Sequence, residues 1–97
     1  LPVVPGFECS GLVVKSGGGL IARALLGRRV SCLAPSQGDG TWAEYVCVPA
    51  GHCLPLRSHV GFEPGAAMLS TGVTAWALLD RARALGALSL RIRLDRA

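Results

Sequence analysis

Apolar and polar positions follow one another in short blocks over the first sixty residues and then give way to a helical spacing. Leu1 to Pro5 reads as an extended entry ended by the Pro5-Gly6 turn. Cys9 to Lys15 is apolar and partly β-branched, which predicts a strand buried on both faces. Ser16-Gly17-Gly18-Gly19 breaks it, and Leu20 to Leu26 predicts two helical turns with Gly27 as the stop. Arg28 to Leu33 alternates weakly and predicts a second strand. After the polar loop Ser36–Gly40, residues Thr41 to Val48 carry Trp42, Tyr45, Val46 and Val48 and predict a third. Cys53 to Leu56 is a short extended segment whose Pro55 suits only an edge or a strand end.

Beyond Phe62 the pattern changes. Glu63 to Leu69 opens a short helix with an acid and a proline near its start, and Thr71-Gly72 interrupts it. Val73 to Leu85 predicts a second helix stopped by Gly86. The chain is thus β-rich and then helical, without internal repeats.

The 97 residues make one small domain at most, or a piece of a larger one. Hydrophobic residues make up 51%, enough for a core, whereas charged residues make up only 16%. Such a surface is thinly covered, so one face is expected to pack against something else. The net charge of +4 does not signal nucleic-acid binding. Arg81, Arg83, Arg91, Arg93 and Arg96 lie in a C-terminal stretch without aromatic residues on which bases could stack. No apolar run is long enough to cross a bilayer. The four cysteines form no Cys-x-x-Cys pair and each has apolar neighbours, so free buried thiols and a cytoplasmic setting are expected. Counting alone leaves three disulfide pairings open.

The chemistry centres on Pro5-Gly6-Phe7-Glu8-Cys9-Ser10-Gly11-Leu12-Val13-Val14, where Gly6 and Gly11 bracket a glutamate at a turn expected to pack closely. Further motifs follow in order: Arg28-Arg29-Val30, Gly40-Thr41-Trp42-Ala43-Glu44-Tyr45-Val46, Leu54-Pro55-Leu56, Phe62-Glu63-Pro64-Gly65-Ala66-Ala67 and Gly72-Val73-Thr74-Ala75-Trp76. Together these resemble the medium-chain dehydrogenase/reductase superfamily, whose zinc alcohol dehydrogenases place a zinc-binding histidine between the glycine and glutamate of the first motif. Phe7 stands there instead and cannot ligate a metal. The resemblance therefore points to the zinc-independent quinone oxidoreductase-like branch. Arg28 departs from the family's usual aspartate, which affects a local turn contact.

The implied fold is mainly β with α: a partial GroES-like β-barrel over residues 1–85, followed by the helix that leads toward a Rossmann domain. Residues 86–97 form an atypical tail without the Gly-x-Gly-x-x-Gly turn that cradles dinucleotide phosphates. The chain is expected to be an internal or truncated fragment. The implied parent activity is hydride transfer from NADPH, or NADH, to a small-molecule quinone or enone acceptor, with no zinc and in a possible homodimer. The fragment alone is expected to be inactive. In similar reductases the residue matching Thr74 lies near the nicotinamide, where its hydroxyl can bond the carboxamide; helix capping beside Gly72 is the competing role. Glu8 would lie beside the meeting point of substrate and nicotinamide, though satisfying nearby backbone amides is its expected part.

Two other groupings are weaker. His52, Cys53, Cys47 and His59 fit no zinc template, and neighbouring strand residues point to opposite faces. His52 and Cys53 make a poor catalytic dyad, since the sequence places no oxyanion or orienting group beside them. Trp42, Tyr45 and Trp76 are expected in the core or on a domain face. The alternative to a reductase fragment is a non-catalytic truncated interaction module, suggested by low charge and unprotected edges.

Overall fold

The computed structural model describes residues 3–86, so the tail from residue 87 onward lies outside the described residues. Three strands, β1 (Glu8–Leu12), β2 (Arg29–Leu33) and β3 (Cys53–Pro55), form an antiparallel sheet in the order β1-β2-β3. Its register sets Cys9 opposite Cys32 and Ser10 opposite Ser31 between β1 and β2. Between β2 and β3 it sets Val30 opposite Pro55 and Cys32 opposite Cys53. Pro55 ends the last strand on an outer edge of the sheet, where a missing N–H costs nothing.

Period-two alternation gives the sheet two unlike faces. Cys9, Val30, Cys32 and Cys53 point to one side, where they join helix α1 (Leu20–Leu25) through Leu25, together with Val13, Val48 and Ala50. This is the apolar core, and it is small. Glu8, Ser10, Arg29 and Ser31 point to the other side, under helix α2 (Phe62–Ala66). A polar face can be covered only if its groups find partners. The Ser31 hydroxyl, fully buried, donates to the Gly65 carbonyl at 2.6 Å. The Ser10 hydroxyl donates to the Phe62 carbonyl, and Arg29 Nη2 donates to the Val60 carbonyl. The Arg29 guanidinium also lies 4.8 Å from the centre of the Phe62 ring, a cation–π contact. Helix α2 is therefore fastened to the sheet by side-chain-to-backbone hydrogen bonds.

Helix α2 leads through a π-helical turn (Met68–Gly72) directly into helix α3 (Val73–Ala84). The Thr71-Gly72 interruption expected from the sequence is thus a widened turn that keeps the helical path. The Gly72 N–H reaches back to the Ala67 carbonyl at 2.8 Å across it.

Two sequence expectations change. Strand β1 is shorter than Cys9 to Lys15, and it is not enclosed on both faces: Glu8 to Gly11 are half-buried and Leu12 is exposed. Thr41 to Val48 is not a strand. The Gly40 and Trp42 N–H groups donate to the carbonyls of Val4 and Pro5, but no ladder extends along the segment. Trp42, Tyr45 and Trp76 are exposed (75%, 77% and 67%), which rules out the core and leaves the other place expected for them, a face of the domain. A strand-like composition forms a strand only where a neighbouring backbone and a covering layer meet it.

Candidate functional site

The first motif and the π-helical turn come together at the start of β1. Gly6 has φ +109°, a conformation that side-chain-bearing residues rarely adopt, and this bend brings the entry segment against residues 40–42. A Cβ at Gly6 would stand 2.4 Å from Thr41 Oγ1 and 2.5 Å from Trp42 Cδ1. The nearly buried Thr41 closes the junction: its N–H donates to the Gly6 carbonyl at 3.3 Å and its hydroxyl to the Glu8 carbonyl at 2.9 Å. Gly11 differs from expectation, since a Cβ there would meet no atom within 4 Å.

Glu8 reaches from the other side of this junction. The Ser70 N–H donates to Glu8 Oε2 at 2.9 Å, and the Thr71 hydroxyl donates to Glu8 Oε1 at 2.8 Å. One carboxylate thereby satisfies two donors of the π-helical turn and ties it to β1 over sixty residues of sequence. The Ser70 N–H first of all, against the opposing effect of burial and with the help of Thr71, holds the Glu8 carboxyl below the usual glutamate range. Satisfying a backbone amide is the part the sequence suggested for Glu8. The partners Ser70 and Thr71 were not foreseen, because the π-helical turn that presents them was not.

Phe7, immediately before Glu8, projects outward and is 84% exposed. Thr74 lies in the first turn of α3, exposed, three residues beyond Thr71. Gly72, which precedes the helix, has no side chain to cap it. Phe7, Glu8, Thr71 and Thr74 therefore belong to one pair of connected elements, the β1 entry and the α2–α3 turn.

The second histidine–cysteine grouping does not assemble. His52 Nδ1 lies 3.3 Å from the Leu33 carbonyl, whereas Cys53 Sγ lies 3.6 Å from Cys32 Sγ. The two side chains thus serve different neighbours. Among the described residues no group of three or more His, Cys, Asp or Glu stands close enough to hold a metal ion. Nor is any helix among them long and apolar enough to cross a membrane.

Residues 1–58 match the family described as the alcohol dehydrogenase GroES-like domain. The chain belongs to that family. With it comes membership of the medium-chain dehydrogenase/reductase superfamily, and the three-stranded sheet with its helices is part of the superfamily's N-terminal GroES-like domain. Over 79 residues the GroES-like chain is 39% identical to rat "Synaptic vesicle membrane protein VAT-1 homolog", which covers 81% of this chain and 19% of that protein. Over 82 residues it is 32% identical to the "Probable quinone oxidoreductase" of Schizosaccharomyces pombe, covering 84% of this chain and 24% of that one. A crystal structure of a "putative NADPH:quinone reductase" from Mesorhizobium loti superposes with a TM-score of 0.77 at 38% identity, over 84% of this chain and 24% of that chain. The chain thus spans about a fifth to a quarter of the length of these relatives.

Proposed function

We propose that this GroES-like chain is part of the catalytic domain of a zinc-independent oxidoreductase that transfers hydride from NADPH, or NADH, to a quinone or enone acceptor. The observation that carries the reading is Phe7. It occupies the position where the family's zinc enzymes place a ligand, it offers no lone pair, and it stands exposed beside the anchored Glu8. Phe7 does not fit zinc at that position. Relatives named as quinone reductases or oxidoreductases support the acceptor class.

The described residues fit only the nicotinamide end of such a cofactor. Thr74 offers an exposed hydroxyl that would hold the carboxamide. The start of α3 offers no phosphate cradle, because the Val73 N–H already donates to the Met68 and Ser70 carbonyls. The bound dinucleotide supplies the hydride. This chain's part is positional: Glu8 fixes the π-helical turn, and the turn fixes where α3 begins. Phosphate binding then falls to a separate nucleotide-binding domain, so the chain alone is inactive. A homodimer and a cytoplasmic setting complete the reading, the latter supported by four free thiols.

The test is NADPH oxidation with a quinone or an enone by the protein that joins this domain to its nucleotide-binding domain, before and after chelator treatment. Turnover that survives chelation is expected. Loss of turnover with the chelator, restored by zinc, overturns the reading.

A second reading has its own observation. Phe7 and Trp42 leave exposed aromatic surface near the β1 entry, which suits a non-catalytic module that associates with another chain. Light scattering separates the two: self-association of the 97-residue chain supports the module, and a monodisperse monomer counts against it.

A further inference from the structure

We propose that Cys32 and Cys53 are a modification site: a thiol pair that hydrogen peroxide converts to a reversible disulfide bridging β2 and β3. The site lies on the sheet face opposite Glu8 and has no part in the function proposed above. Cys9, Cys32 and Cys53 occupy matching register positions across the three strands, so their side chains form a row on one face. Within that row Cys32 Sγ and Cys53 Sγ approach to 3.6 Å.

The ladder explains why this pair is set to join. The Leu56 N–H donates to the Arg29 carbonyl at 2.8 Å, which makes Arg29 and Leu56 a hydrogen-bonded pair. Alternation along an antiparallel ladder then makes Cys32 and Cys53 a non-hydrogen-bonded pair, where Cα atoms approach to about 4.5 Å and side chains lie closer. That separation lies within the range of about 4.4–6.8 Å that a disulfide spans. Cys9 is the competitor. The Ala34 N–H donates to the Phe7 carbonyl at 2.7 Å, and the same alternation places Cys9 and Cys32 in a hydrogen-bonded pair, about 5.5 Å apart at Cα. Bridging Cys32 to Cys53 asks the sulfurs to close by about 1.6 Å, to the usual bond length of about 2.0 Å.

Exposure sets the order of events. Cys53 is half-buried and reaches solvent, whereas Cys32 is 6% exposed. Burial, with its bond to Cys53, pushes the Cys32 thiol well above the ordinary cysteine range. Cys53 therefore reacts first. Its thiolate attacks one peroxide oxygen, the O–O bond breaks, and the departing hydroxide takes a proton to leave as water. Sulfur is oxidised to a sulfenic acid and peroxide is reduced. Cys32 sulfur then attacks Cys53 sulfur, the S–O bond breaks, and a second water carries off the hydroxyl and the Cys32 proton. Peroxide has taken two electrons, and one S–S bond has formed. Cys47 is exposed and outside the row, so it is the natural control.

The test exposes the full chain, bearing Cys47→Ser, to hydrogen peroxide. Remaining thiols are then alkylated, and the chain is cut after Lys, Arg and Glu. The sequence separates the three thiols cleanly, into Cys9–Lys15, Val30–Glu44 and Tyr45–Arg57. The expected product links Val30–Glu44 to Tyr45–Arg57, with loss of two alkylatable thiols per chain, both recovered with dithiothreitol. Cys9→Ser keeps the product and Cys53→Ser abolishes it. The unsubstituted chain, with the bridge located by fragmentation, gives the same answer without relying on any variant's folding. A link from Cys9–Lys15 to Val30–Glu44 instead, or three thiols that all remain alkylatable, overturns the proposal.

Discussion

Replacing Gly6 by alanine tests how the candidate site is built. The residue sits at φ +109°, where an L side chain is strained by about 1–3 kcal/mol. The new methyl would also lie 2.4 Å from Thr41 Oγ1, 2.5 Å from Trp42 Cδ1 and 2.9 Å from the Thr41 nitrogen. The last of these is backbone and cannot swing aside, and overpacking of this kind costs about 1–3 kcal/mol. The two effects act together, so Gly6→Ala should destabilise the chain by about 2–6 kcal/mol, a large share of the roughly 5–15 kcal/mol a small domain holds. Gly11 in the same motif is the control. It has open space around its missing Cβ and no positive φ, so Gly11→Ala should be neutral or stabilise by up to about 1 kcal/mol. Urea unfolding followed by Trp fluorescence and circular dichroism measures both. With a slope of about 1 kcal/mol per molar, Gly6→Ala should lower the midpoint by about 2 M or more. The reasoning fails if Gly6→Ala matches the parent within about 0.5 kcal/mol, or if both glycines cost the same.

Two further predictions follow from the polar contacts. Glu8 has its pKa lowered in the folded chain by the Ser70 N–H and the Thr71 hydroxyl. Its contribution is therefore full above the unfolded glutamate value, about 4.3, and is lost as pH falls through the folded one. A carbon-detected NMR titration should place the Glu8 midpoint below that value, and a midpoint at or above it would refute the contact. Ser31→Ala removes a fully buried donor and leaves the Gly65 carbonyl without its 2.6 Å partner. It should cost about 1–3 kcal/mol in urea unfolding, and a change below about 0.5 kcal/mol would show that α2 is held by other contacts.

Much of this organisation was legible in the residues. The run from Arg28 to Leu33 became β2, a local pattern that finds a covering layer, and the helical spacing from Val73 became α3, a local pattern that forms with no buried residue of its own. The glycine-bracketed Glu8 was legible as a motif, and the family it implied is the one the chain belongs to. What sequence could not supply depends on distant partners. Thr41 to Val48 has strand composition, but no ladder forms along it and its aromatic residues face outward. The contact of Glu8 with Ser70 and Thr71 spans more than sixty positions and rests on a π-helical turn that Thr71-Gly72 does not announce. The cysteines were expected to be buried one by one. Register made three of them a row, while Cys47 is exposed.

These residues are proposed above to be one part of a longer zinc-independent reductase. Antibody capture from the source cells, followed by intact-mass spectrometry, tests it most directly. The chain spans 19–24% of the relatives and the solved structure described above, and its own mass is 10.0 kDa. The expected product is several times heavier, long enough to carry a nucleotide-binding domain after α3. A native mass that matches these 97 residues would contradict it, because no dinucleotide phosphate site would then exist to support hydride transfer.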